Sequence, residues 1–250
     1  FTDGMLAWPP DPEAWSLRWY KNMIGDCSAD VVSSTVPCSN KWMVGTLNSF
    51  FIGIVATVIA TSLGTLAALG LSRPHMPFKG IIMAILISPM IVPLIITAAG
   101  MFFFYARINL VYTFTGVILA HVALATPFVV ITVTATLVGF DMNMVKAAQS
   151  LGARPVKTFF RVIMPLILPG IISGALFAFI TSFDEVVIVM FMASLDQLTI
   201  PKQMWAGIRQ EISPVILCMA TCLVALSIFL LTTVELLRRR SERLRGIKPR

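Results

Sequence analysis

Residues 44–71 form an uncharged apolar stretch that reads VGTLNSFFIGIVATVIATSLGTLAALGL. A helix needs roughly 20 mostly apolar residues to cross a bilayer, and this stretch is long enough. Lipid offers the backbone no hydrogen-bond partners, so a spanning segment of this length has to satisfy its own N–H and C=O groups as a helix. The stretch therefore predicts a transmembrane helix.

Similar apolar stretches occur four more times along the chain, at residues 80–105, 113–140, 166–192 and 214–234. Hydrophobic residues make up 57% of the 250 residues, charged residues only 12%, and the mean hydropathy is +0.87. Soluble domains carry about 25% charged residues. The predicted fold class is therefore an all-α integral membrane protein, a polytopic helical bundle with five spans visible. Pro89 and Pro93 predict that the second span is kinked or broken.

The net charge of +7 is best explained by the topology of the spans, so no nucleic-acid partner is predicted. If the C-terminus is cytoplasmic, most Lys and Arg residues lie inside, as the positive-inside rule requires. Residues 1–43 are then a periplasmic N-terminal segment, residues 44–237 the membrane domain and residues 238–250 a basic cytoplasmic tail. The chain begins at Phe1, and we expect further residues upstream.

Cys27 and Cys38 both lie in the predicted outside segment. An oxidising compartment would allow a disulfide between them. Two free thiols are the alternative. The cysteine and histidine spacings do not resemble a zinc site, so no metal site is predicted.

The segment between the third and fourth spans, residues 141–165, reads DMNMVKAAQSLGARPVKTFFRVIMP. Good helix formers precede Gly152, which supplies a break, and Pro155 suits the first turn of a second helix. The pattern predicts a helix–turn–helix at the membrane surface. Small Ala147 and Ala148 beside bulky apolar residues indicate a surface that docks on a partner, and a surface-lying amphipathic pair is the alternative.

The same loop resembles the signature of ABC importer permeases, which is E-A-A, then Gly, then I-x-L-P at fixed spacing. This chain has Lys146-Ala147-Ala148, Gly152 and Val162-Ile163-Met164-Pro165. The Gly and the Pro fall at the family spacing, whereas Lys146 replaces Glu and Met164 replaces Leu. A contact that needs a carboxylate at the first position is therefore not expected here.

From residue 15 to residue 240 the chain is similar to the spermidine/putrescine-type permeases. The stretches that carry this resemblance are Leu17-Arg18-Trp19-Tyr20, Thr46-Leu47-Asn48-Ser49, Pro169-Gly170-Ile171-Ile172-Ser173-Gly174 and Ser182-Phe183-Asp184-Glu185. Members of that family have six spans, which implies one span before the segment seen here.

The resemblance implies a permease subunit of the bacterial inner membrane that catalyses no reaction and binds no cofactor. Its implied partners are a second permease subunit, two ATPase subunits that bind ATP and Mg²⁺, and a periplasmic substrate-binding protein. The loop would be the coupling element that docks on an ATPase subunit. The residues assigned to this coupling are Lys146, Ala147, Ala148, Leu151, Gly152, Pro155, Phe159 and Pro165.

Asp184 and Glu185 are the carboxylates well inside a predicted span. Charges there are costly, at about 2.5–3.5 kcal/mol each on insertion scales, and usually functional. A helical wheel places them on one face with the small, polar and aromatic residues Ser173, Phe177 and Thr181. This face is a candidate substrate path for an ammonium-bearing solute. The structural alternative is that the carboxylates cap broken helix ends or pair with a basic residue of the partner permease.

Polyamines are the expected substrates, and an opine or an amino-acid-like solute is the alternative within the same importer class. A homomeric channel and a membrane-embedded enzyme are the remoter hypotheses. A channel would need no docking loop. An enzyme would need a constellation of polar groups in the spans, whereas His121 stands alone there.

Overall fold

The computed structural model describes residues 17–25, 40–73, 76–138, 140–141, 143–210 and 214–244. Cys27 and Cys38 lie outside the described residues, so the disulfide stays a prediction. The helices are α1 Arg18–Met23, α2 Lys41–Leu71, α3 Lys79–Ile91, α4 Leu94–Arg107, α5 Phe114–Val138, α6 Asn143–Ser150, α7 Pro155–Thr158, α8 Met164–Phe183, α9 Val187–Met192, α10 Ile200–Gln210 and α11 Pro214–Leu244.

Among the described residues, four continuous helices are long and apolar enough to cross a membrane. They are Lys41–Leu71, Phe114–Val138, Pro155–Phe183 and Pro214–Thr232. The bent pair α3 and α4 makes a fifth if its two arms form one span. The predicted fold class, a polytopic helical membrane protein, is confirmed.

The second predicted span is broken rather than smoothly kinked, because α3 and α4 meet at an angle of 104°. Val92 between them is extended, with φ −72° and ψ 135°. Pro93 has no N–H to donate to the carbonyl of Pro89, so the helix cannot continue through this point. Proline also disfavours helical conformation in the residue before it, and Val92 occupies that position.

The fourth predicted span is not continuous to residue 192, which corrects the sequence-based expectation. Helix α8 ends at Phe183, and α9 begins only at Val187. The Glu185 carboxylate explains the restart, because its Oε1 accepts a hydrogen bond from the N–H of Ile188 at 2.8 Å. A side-chain acceptor of this kind satisfies an N–H that has no partner at the start of a helix.

The loop at residues 141–165 is a helix and a turn that lead directly into the fourth span. The second helix was expected to lie separately at the surface, but Pro155–Phe183 is one uninterrupted helical segment. A π-helical turn over Phe159–Ile163 joins α7 to α8. There the Met164 N–H donates a hydrogen bond to the Phe159 carbonyl five residues earlier, so this turn is wider than an α-helical turn. It directly precedes Pro165, which has no N–H to donate to the preceding turn.

One compact unit comprises Ile52–Met192, and α5 is its central helix. Helices α3, α8 and α9 all pack against α5. The contact with α8 is very close, since a Cβ built on Gly174 would lie 2.5 Å from Thr132 Oγ1 and 3.1 Å from Val129 Cα. Small residues permit such close approach between helices in membranes. The antiparallel contacts pair Gly170 with Thr136, Gly174 with Thr132, Phe177 with Phe128 and Ser182 with His121.

The other compact unit comprises Phe1–Phe51 and Ala193–Arg250, and within it α11 packs against α1 and α10. The Asn48 side chain donates hydrogen bonds to the carbonyls of Asp196 at 2.8 Å and Leu198 at 3.0 Å. Ser49 Oγ accepts the N–H of Ile200 at 2.9 Å, so the start of α2 holds the segment that leads into α10. In α10, partial burial lowers the pKa of the Lys202 ammonium below its ordinary value.

Candidate functional site

A cavity of about 380 Å³ lies in the unit Ile52–Met192, where the break between α3 and α4 meets the break between α8 and α9. Its lining comes from α5, from the end of α8 and its following break, and from the junction of α3 with α4. The lining residues are Pro89, Met90, Ile91, Val92, Pro93, Leu94, Leu124, Phe128, Thr181 and Glu185. The cavity is therefore mostly apolar, with a carboxylate and a hydroxyl as its polar side chains.

Glu185 is buried, with 7% of its surface exposed, whereas the neighbouring Asp184 is exposed. The two carboxylates do not share one helical face, because the helix ends before them. Glu185 has a structural role as the cap of α9, and it also lines the cavity. The cap corresponds to the structural alternative raised by the sequence, and the substrate-path role of Glu185 stays a prediction.

The broken end of α3 brings helix-end carbonyl groups to the same cavity. The last carbonyl groups of a helix carry partial negative charge. The Pro89 carbonyl lacks the N–H donor that a non-proline residue at position 93 would provide. Residues 89–94 line the cavity, so the first N–H groups of α4, which carry partial positive charge, lie beside these carbonyls and offset them. The Glu185 carboxylate is therefore the group that favours a cation.

Phe128 provides an aromatic surface in the cavity, and its ring stacks on that of Phe177 at a centroid distance of 6.3 Å. An aromatic face attracts an ammonium group within about 6 Å. The sequence assigned this aromatic role to Phe177, but Phe177 and Ser173 are not among the residues that line the cavity. Thr181 does line it, as expected.

The turn of the loop between α6 and α7 is well defined. Gly152 has φ +79°, a conformation that glycine adopts without steric cost. The Gly152 N–H bonds to the Gln149 carbonyl at 2.9 Å and the Ala153 N–H to the Ala148 carbonyl at 3.0 Å. These two hydrogen bonds form a Schellman motif, which satisfies the last carbonyls of α6.

Most of the side chains assigned to coupling are accessible. Leu151 at the turn is 88% exposed, Lys146, Ala147, Pro155 and Pro165 are exposed, and Ala148 and Phe159 are half-buried. The buried side chains of Val145 and Thr158 anchor the two sides of the turn. The loop thus presents a fixed, partly apolar surface.

Among the described residues, no group of three or more His, Cys, Asp or Glu side chains is arranged to hold a metal ion. Of the described residues that line the cavity, Glu185 is the one with an ionisable side chain. Its chemistry is suited to holding a solute by charge and shape.

Several apolar spans, a cavity with one carboxylate and an exposed loop are features expected of a membrane transport permease. The chain belongs to the family described as the binding-protein-dependent transport system inner membrane component, whose model matches residues 46–243. It is therefore a multi-pass inner-membrane component of such a transport system.

Relatives with known functions are similar over most of the chain. The spermidine/putrescine transport system permease protein PotC of Haemophilus influenzae is 30% identical over 95% of this chain and 86% of the relative. PotC of Escherichia coli K12 is 28% identical over 77% of this chain and 73% of the relative. The putrescine transport system permease protein PotI of Escherichia coli K12 is 30% identical over 83% of this chain and 72% of the relative.

Among solved structures, the fold is similar to a chain of the MetNI methionine ABC transporter in an inward-facing conformation. The TM-score is 0.64 at 18% identity, over 80% of this chain and 95% of that chain. At this level of identity the similarity supports the fold.

Proposed function

We propose that this chain is a permease subunit of an ATP-binding-cassette importer and that its solute is a polyamine. The observation that carries the proposal is the cavity of about 380 Å³ with Glu185, Phe128 and the end of α3 on its walls. A polyamine is an apolar chain with ammonium groups, and this cavity is apolar with one carboxyl group.

An ammonium group can use all three kinds of cavity wall. Its N–H donors suit a carboxylate and helix-end carbonyls, and its positive charge is attracted to an aromatic face. Relatives at about 30% identity are named for the transport of spermidine and putrescine, which supports the same class of solute for this chain. Asp184, exposed and next to Glu185, is assigned to the same path.

Coupling to ATP hydrolysis is assigned to the loop at residues 141–165. Its turn is held by the Schellman hydrogen bonds at Gly152, and Leu151 at its tip is exposed. A fixed turn with an apolar tip can transmit a rigid-body movement from a partner that grips it. We assign that partner to an ATPase subunit that binds ATP and Mg²⁺, and we propose accordingly that the loop and the C-terminus are cytoplasmic.

The complete transporter would contain a second permease subunit, two ATPase subunits and a periplasmic substrate-binding protein. An opine or amino-acid-like solute is the competing assignment. Such a solute carries a carboxylate, and no basic side chain is among the described residues that line the cavity, so the cavity favours a pure cation.

The substrate assignment is tested by Glu185→Gln in proteoliposomes that contain the complete transporter. Saturating amounts of ATP and of the binding protein loaded with radiolabelled spermidine isolate the membrane step. Loss of a charged hydrogen bond worth about 1.5–3 kcal/mol should slow uptake roughly ten- to hundredfold. Rates are normalised to the amount of assembled complex.

Asp196→Asn is the matched control, because Asp196 is an exposed carboxylate that does not line the cavity. It should leave the uptake rate within about twofold, as expected for a surface substitution. Uptake by Glu185→Gln at the rate of the unmodified protein would show that the cavity carboxylate does not bind the solute.

A further inference from the structure

A buried hydrogen bond joins α5 to the last turn of α8. The distance between His121 Nδ1 and Ser182 Oγ is 2.7 Å. His121 is 1% exposed and Ser182 is 5% exposed, so both lie within the packed interior of their unit. Which atom donates depends on the tautomer of the imidazole.

The position of this hydrogen bond relates it to the cavity. Ser182 lies between Thr181 and Glu185, which both line the cavity, and α8 ends one residue after Ser182. On α5, His121 lies about one helical turn before Leu124, another lining residue. The bond therefore holds the end of α8 immediately before the break that carries the carboxylate.

The last two turns of α8 also pack on α2, since the rings of Phe179 and Phe183 lie against Gly53. After Phe183, the Asp184 N–H donates a last helical hydrogen bond to the Ile180 carbonyl at 3.0 Å. Regular helix resumes only at Val187. The position of the Glu185 carboxylate depends on where the last turn of α8 is fixed. A hydrogen bond from the central helix fixes that turn.

Packing alone does not account for a histidine at this position. The His121 Nε2 atom is buried and has no hydrogen-bond partner among the described residues. An unpaired buried polar atom is destabilising, and an apolar side chain of similar volume would avoid that loss. The presence of a histidine at position 121 is thus explained by its hydrogen bond to Ser182 and not by its burial.

We propose that His121 is a positioning residue, which acts through Ser182 to hold the Glu185 carboxylate in the cavity and at the start of α9. The inference rests on the proposed function, since it assumes that Glu185 binds the transported cation. His121 itself does not line the cavity. Its effect on transport must therefore pass through Glu185.

Four substitutions separate positioning from packing. His121→Leu and Ser182→Ala remove the hydrogen bond but keep most of the buried volume. His121→Asn places an amide near the position of Nδ1, and Ser182→Thr retains the hydroxyl, so both should preserve the bond. The conservative variants are the matched controls.

Backbone amide exchange reports the geometry directly in the purified protein. The Ile188 N–H bonds to Glu185 Oε1, so a displaced carboxylate exposes that amide. We expect exchange at Ile188 to be roughly fivefold faster in His121→Leu and Ser182→Ala, the factor for one ordinary hydrogen bond. Exchange at Val130 in the middle of α5 should not change. Equal exchange at Ile188 in all variants would overturn the proposal.

Spermidine uptake in the reconstituted transporter tests the functional part. His121→Leu should lower the rate per complex roughly fivefold, and His121→Asn should restore it. In the Glu185→Gln background, His121→Leu should cause no further loss, because the residue through which it acts has already been changed. An equal loss in both backgrounds would indicate a general packing defect and overturn positioning.

The two proposals can fail separately. If Glu185→Gln slows uptake but His121→Leu does not, the positioning role is wrong and the substrate site stands. If Glu185→Gln transports normally, the substrate site is wrong, and amide exchange at Ile188 still decides whether His121 positions Glu185 at the start of α9.

Discussion

Leu151 offers the sharpest test of the docking loop. Its side chain stands at the tip of the α6–α7 turn and is 88% exposed, so nearly all of its apolar surface is available to a partner. Full burial of a leucine side chain is worth about 1.5–3 kcal/mol. Leu151→Ala should therefore weaken association with the ATPase subunit by about 2 kcal/mol, or roughly 30-fold in Kd. The fold itself should lose no more than about 0.5 kcal/mol, since the site is exposed.

The assay is binding of the purified ATPase subunit to the permease in nanodiscs, with the Kd read by titration. Leu195→Ala is the matched control, because Leu195 is 82% exposed but lies in the segment that leads into α10. Its Kd should equal that of the unmodified protein. If Leu151→Ala binds as tightly as this control, the turn is not the docking surface.

Three further substitutions test the packing of α8 on α5, the turn at Gly152 and the hydrogen bonds from Asn48 to the segment before α10. Gly174→Val forces a side chain against Thr132 and should lower the free energy of unfolding by about 1–3 kcal/mol, which is measured as a lower Tm. Gly100→Val is the control, because its side chain meets no other atoms and should leave the Tm unchanged. Gly152→Ala at φ +79° should cost about 1–2 kcal/mol and loosen the turn, measured by proteolysis at the loop. Asn48→Ala removes both hydrogen bonds that hold the segment before α10, so amide exchange in residues 196–200 should quicken severalfold while that of α5 stays unchanged.

The spans and the loop turn were predictable from the sequence because each depends on local chemistry. Uncharged stretches of sufficient length have no other stable state in lipid. Gly152 marks the turn because its φ is positive, and Pro93 marks the break because it has no N–H.

The composition of the cavity was harder to predict because it depends on tertiary contacts. The wheel that placed Phe177 beside Glu185 assumed an unbroken helix, and the break after Phe183 removes that assumption. Phe128 lies on α5, which is apolar on every side, so no pattern distinguishes the face that meets the cavity. The π-helical turn before Pro165 likewise has no clear mark in a single sequence.

We propose that this permease moves a polyamine only when an ATPase drives it. The direct measurement is accumulation of radiolabelled spermidine in proteoliposomes that hold the complete transporter, with ATP or with a non-hydrolysable analogue. We expect uptake against a gradient that requires both ATP hydrolysis and the binding protein. Equal uptake with the analogue, or uptake by this chain alone, would contradict it and indicate a channel.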